Sequence, residues 1–97
     1  MDMYDPPHPG EFITEIYLAP YGVSVRQLAL RLDVAASTVS RLLRGTSRVT
    51  SDMALRLSKA LGRSPQSWLA MQDAHDLWVA QQNSDLSGVS KLELIDA

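Results

Sequence analysis

The sequence has no cysteine, and its two histidines, His8 and His75, stand far apart. Disulfides and thiolate zinc sites are excluded, and two distant histidines make a poor metal site. No run approaches the roughly 20 apolar residues that a membrane-spanning helix needs. Asp2 and Asp5 occupy the stretch where a signal peptide would carry basic residues, so the expectation is a cytoplasmic protein. Catalytic signals are missing as well. There is no cysteine nucleophile, no Gly-rich phosphate loop, and no informative spacing between a histidine and a carboxylate. Glu11 and Glu15 form an i, i+4 pair that reads as solvated helix surface, and His75 reads as a packed imidazole. Neither an enzyme nor a bound metal or cofactor is expected.

What is present suits one domain. The 97 residues are 45% hydrophobic and 21% charged, an ordinary globular balance. The net charge of -2 conceals a segregation. Between Ser24 and Arg63, eight basic residues (Arg26, Arg31, Arg41, Arg44, Arg48, Arg56, Lys59 and Arg63) face only Asp33 and Asp52, a local charge of +6. Elsewhere Lys91 stands alone against nine acidic residues, a charge of -8. A basic middle between acidic flanks provides one face for phosphates.

The chain punctuates itself into five helices. Pro6 and Pro7 disfavour helix before them, so residues 1–8 read as an extended, flexible arm. Pro9 suits a first helical position, Phe12, Ile16 and Ala19 recur at helical spacing with Ile13 and Tyr17 widening the stripe, and Pro20 and Gly22 close this first helix. Ser24 with Gln27 forms a capping-box pattern, ahead of a short helix whose apolar stripe is Val25, Leu28, Ala29 and Leu32. A third helix starts near Ala36, turns Val39, Leu42 and Leu43 inward and ends at Gly45, a left-handed C-cap. Thr50 or Ser51 caps a fourth, with Met53, Ala54, Leu57, Ala60 and Leu61 buried and Gly62 as its stop. Ser64-Pro65 opens a fifth that runs to about Gln81. Residues 82–97 read as linker and tail, with Lys91 to Ile95 either a short strand or frayed chain. The fold class is all-α: a five-helix domain over residues 9–81, with a long last helix.

The informative stretch is Val25 to Gly45. Two helices joined by about four residues must cross steeply. Ala29 sits where they approach most closely, Val34 plugs the turn, and Val39 and Leu42 lock the third helix down. Ala36, Ser37, Ser40, Arg41 and Arg44 are left on the outer surface. Small, hydroxylated residues at the helix start let its N-H groups approach a phosphate. Arg41 is placed to reach O6 and N7 of a guanine, and Arg44 and Arg48 suit phosphates. Thr38 either reads a base edge or assists the cap.

His8-Pro9-Gly10-Glu11, Val49-Thr50-Ser51-Asp52-Met53-Ala54-Leu55-Arg56-Leu57, and Ser64-Pro65-Gln66-Ser67-Trp68-Leu69 with Gln72 together resemble the HigA family of antitoxins, within the phage-repressor-like helix-turn-helix group. The resemblance spans about residues 8 to 78 and implies a lambda-repressor-like helix-turn-helix fold. Asp33 departs from the glycine usual at its position and must tolerate a strained or left-handed backbone, as Asp does better than most residues. The glutamine that commonly opens the second helix is found here at Gln27, which joins the candidate DNA contacts. The resemblance implies an antitoxin that neutralises a HigB-like, ribosome-dependent, mRNA-cleaving toxin encoded beside it, and that represses their shared promoter as a homodimer on an inverted repeat.

On the fifth helix Trp68, Met71, Gln72, Ala74, His75, Trp78 and Val79 cover an arc of about 160°, against about 100° for a core-facing stripe. Trp68 is assigned to the core. Met71, Ala74, His75, Trp78 and Val79 are the expected dimer interface. A two-fold dimer would set two recognition helices about 34 Å apart, in successive major grooves of a palindrome. Two alternatives stay open: a stand-alone regulator with no toxin, and a protein-interaction module that has lost DNA contact.

Overall fold

A computed structural model describes residues 5–94. Helix α1 (Pro9–Ile13) begins on His8, whose Nδ1 accepts the Gly10 N–H at 2.9 Å, and Pro9 fills the first helical position. The chain then widens into a π-helical turn (Thr14–Leu18), with Ala19 N–H donating five residues back to the Thr14 carbonyl. That extra residue per bond rotates the inner face. Ile13 and Leu18 are buried, with Phe12 and Tyr17 packed beside them, while Ile16 and Ala19 are exposed. The expected stripe through Ile16 and Ala19 is corrected accordingly, because it assumed a regular 3.6-residue period to the end of the helix.

Helix α2 (Val25–Leu32) carries the full capping box: Ser24 Oγ accepts from Gln27 N, and Gln27 Oε1 accepts from Ser24 N at 2.8 Å. Asp33 ends it in the left-handed conformation, φ 57°. Helix α3 (Ala36–Leu43) follows, and Gly45 at φ 79° completes its C-terminal motif. Gly45 N–H donates to the Leu42 carbonyl and Thr46 N–H to that of Arg41, which satisfies the last turn. Helix α4 (Ser51–Leu61) is capped by Thr50 Oγ1 on Met53 N. Helix α5 (Pro65–Asn83) is capped by Ser64 and runs two residues past its expected end.

The core joins Ile13, Leu18, Leu28, Ala29, Leu32, Val39, Leu42, Val49, Met53, Ala54, Leu57 and Trp68. Of the fourth-helix positions expected inside, Ala60 is exposed and Leu61 half-buried. Gly10 has a separate role. A Cβ there would overlap the Leu42 carbonyl oxygen, so its bare Cα lets α1 lie directly on the end of α3.

Residues 5–8 are extended, as expected, but Pro6 and His8 are buried rather than free in solvent. The Pro6 carbonyl lies 2.9 Å from His75 Nδ1, and the two imidazoles meet edge to face at 5.3 Å. For residues 5–8, then, the flexible arm is corrected to a segment docked on α5, because α5 offers it a hydrogen-bonding ring. Beyond α5, residues 84–94 are exposed, with a single turn at Ser87 and Gly88. Lys91 to Leu94 form no strand, with no neighbouring segment among the described residues to pair with, and Ile95 lies outside those residues.

Candidate nucleic-acid interface

The packing of α2 against α3 decides which side chains remain outside. Ala29 is 4% exposed, Val39 and Leu42 are buried, and Val34 closes the turn with its N–H on the Ala29 carbonyl at 3.1 Å. Ala36, Ser37, Arg41 and Arg44 are exposed. Ser37, Arg41 and Arg44 follow i, i+4, i+7 spacing, one line along the helix. Thr38 and Ser40 flank this line and are half-buried. Ala35 supplies no side-chain cap, so the first amides of α3 meet no side chain. They are available to an anionic oxygen.

Electrostatics narrows the +6 stretch to fewer usable charges. Among the described residues no carboxylate lies within ion-pair distance of Arg41 or Arg44. Three other arginines are engaged. Arg56 pairs with Asp52 at 2.7 Å and donates to the Leu32 and Asp33 carbonyls at 2.8 and 3.0 Å, so α4 staples the end of α2 and the turn into α3. Arg63, left-handed at φ 64°, lies over the rings of Phe12 and Trp68 at 5.2 and 5.8 Å. Arg48, expected on phosphates, instead donates to Asp76 on α5 at 2.5 Å, with Asp73 at 3.6 Å. Gln27 is exposed at the start of α2, but its Oε1 is committed to the capping box.

Two motif residues, Gln72 and His8, have positioning roles that sequence reasoning did not assign. Gln72 is 1% exposed; its Oε1 accepts Val49 N–H at 2.7 Å and its Nε2 donates to Asp76 Oδ1 at 2.9 Å. It fixes the loop behind α3 to α5. A polar residue inside a buried arc was the available signal. His8 is the second. Burial, and then the neighbouring His75, hold its imidazole below the usual histidine value, and its Nδ1 must stay unprotonated to accept from Gly10. Burial pushes the Asp76 carboxyl up, but hydrogen bonds from Arg48 and Gln72 outweigh it and hold the group below the ordinary carboxylate range.

The helix-turn-helix family model (HTH_3) matches residues 15–68, more than half of the chain and all of the α2–α3 unit. The protein is 41% identical over 92 residues to the uncharacterized HTH-type transcriptional regulator YddM of Escherichia coli, covering 95% of this chain and 97% of that one. In three dimensions it is similar to the antitoxin GraA, at TM-score 0.84 and 38% identity over 95% of this chain and 99% of that one. The chain belongs to the helix-turn-helix family that the family model describes, and its relatives include HigA antitoxins. It is similar as well to the Pseudomonas aeruginosa antitoxin HigA, whose structure was solved with the higBA promoter (TM-score 0.80, 30% identity, 92% of this chain and 99% of that one). The family is not an enzyme class, and among the described residues no helix is long and apolar enough to cross a membrane.

The expected dimer residues fall into two groups. Met71 packs against the core and His75 holds the Pro6 carbonyl, so both are used within the chain. Ala74 and Val79 are exposed and Trp78 is half-buried. Leu77, which is not among the expected interface residues, is 60% exposed. Ala70, Ala74, Leu77 and Gln81 recur at i, i+4, i+7, i+11 and form the open side of α5, with Trp78 at its edge.

Proposed function

We propose that this protein is a DNA-binding antitoxin, a homodimeric repressor that reads an inverted repeat in its own promoter and neutralises an mRNA-cleaving toxin encoded beside it. The observation that carries the DNA reading is the exposed line Ser37–Arg41–Arg44 on a helix whose opposite side is locked into the core. Such a helix enters a major groove with Arg41 on a base edge, Arg44 on a phosphate and the first amides of α3 against the backbone. The promoter complex of the Pseudomonas aeruginosa HigA supports the same use here. Dimerisation through Ala74, Leu77 and Trp78 would cover the open side of α5 and supply a second recognition helix. The toxin assignment is supported by similarity to antitoxins and by acidic flanks suited to a basic partner.

A second reading, a regulator with no toxin, is favoured by similarity to YddM, which is named as a transcriptional regulator. One gel-shift experiment separates them. The chain is titrated onto its own promoter DNA with and without the product of the adjacent gene. A specific shift that this product alters supports the antitoxin; a shift it leaves alone supports the stand-alone regulator; no shift at all sinks both.

A further inference from the structure

Arg44 and Arg48 lie one turn's spacing apart at the end of α3 and in the loop behind it, and by sequence they serve DNA phosphates alike. The structure gives them different surroundings. Arg44 has no carboxylate partner among the described residues, whereas Arg48 is 2.5 Å from Asp76 Oδ2 and 3.6 Å from Asp73 Oδ1. Asp76 is not a loosely placed surface acid. Its other oxygen accepts from Gln72 Nε2 at 2.9 Å, and that buried amide is anchored on Val49 N–H at 2.7 Å. The same contacts that fix the loop therefore present the carboxylate to it.

Accordingly, we propose that Asp76, assisted by Asp73, acts as an internal competitor for DNA phosphate. It is a positioning residue that holds Arg48 off the DNA backbone and removes one sequence-independent contact from the interface. The inference rests on the DNA-binding reading above. An exposed ion pair alone is weak enough for a phosphate to displace. Here displacement has a further penalty: moving Arg48 onto DNA leaves two unneutralised carboxylates beside the loop that approaches the backbone. The competition therefore favours Asp76, and binding is weaker and less salt-sensitive than the basic count of the sequence implies.

The test measures affinity for the protein's own promoter fragment and for a scrambled fragment across a salt series, with the full chain. Four variants are compared: Asp73→Asn/Asp76→Asn, the same pair with Arg48→Ala, Asp76→Asn alone, and Arg44→Ala. Asn at position 76 keeps an oxygen for Gln72, so the fold is retained. Releasing Arg48 should steepen the slope of log affinity against log salt by about 0.9, on both fragments. That widens the affinity ratio between about 50 and 200 mM salt about threefold. Asp76→Asn alone should move the slope the same way by less, and adding Arg48→Ala should restore the wild-type slope. An unchanged slope in the paired variant, or a gain that survives Arg48→Ala, overturns the proposal. Arg44→Ala should flatten the slope by about 0.9 in every case. If wild type binds neither fragment, the DNA-binding reading fails and this inference with it; if Arg44→Ala behaves as expected and the paired variant does not, this inference alone fails.

Discussion

The first half of α5, Pro65 to Gln72, and the second, Asp73 to Asn83, form one unbroken helix that meets the rest of the chain in two different ways. The first half turns inward. Trp68 is fully buried, its indole N–H on the Gly62 carbonyl at 2.9 Å, and Gln72 ties down the loop behind α3. The second half meets the docked segment at His75 and Arg48 at Asp73 and Asp76, and leaves Leu77 60% exposed. Among the described residues the core reaches α5 at Trp68, Leu69 and Met71, and no later apolar residue of the helix joins it. One half of the helix is tied into the core and the loop behind α3; the other leaves apolar side chains exposed.

That contrast can be tested by mutation. Trp68→Ala should destabilise the fold by about 3–5 kcal/mol in chemical denaturation. Leu77→Ala should change monomer stability by less than about 0.5 kcal/mol yet shift the proposed dimer towards monomer in sedimentation. A large stability loss in the second variant, with association unchanged, would erase the distinction. Gln72→Leu comes next. It fills similar space but strands the buried Val49 N–H, at about 1–3 kcal/mol. Unaltered stability would mean that the loop does not depend on α5.

The third test concerns pH. His8 has a lowered folded-state value, so the unfolded chain binds the proton more readily. Its contribution to stability is complete above the unfolded value near 6.5 and is lost as pH falls through the lower folded value. His8→Asn keeps a cap for Gly10 without titrating, and should flatten the stability profile just below pH 6.5. A wild-type profile already flat there would show that the His8 cap does not depend on the neutral ring. The lowered Asp76 value acts in the same direction, but only below about pH 4, because its stabilisation is lost as pH falls beneath the ordinary carboxylate range.

Much of this architecture was legible in the residues. Ser24 with Gln27, Ser64 with Pro65, and Gly45 announce helix ends through local chemistry, and the structure places each in its expected role. The outward line of α3 followed from Ala29, Val39 and Leu42, since burying those positions leaves only one side for Arg41. Long-range pairings were not legible. Nothing local distinguishes Arg48 from Arg44, because the difference is made by Asp76, 28 residues further on. Arg56 looked like one more surface charge until the fold brought it to the Asp33 turn. The π-helical turn escaped for another reason: periodicity assumes constant pitch, and one wider turn exchanges Leu18 for Ile16 on the inner face.

The central claim is that the outer face of α3 reads base edges. Its most direct test is the affinity of Arg41→Ala for the protein's own promoter fragment and for a scrambled fragment, at one salt concentration. A loss of about 1–3 kcal/mol on the promoter, with little change on scrambled DNA and relaxed preference at one base pair, is the predicted result. Equal losses on both fragments would contradict it, and would place Arg41 on the phosphate backbone.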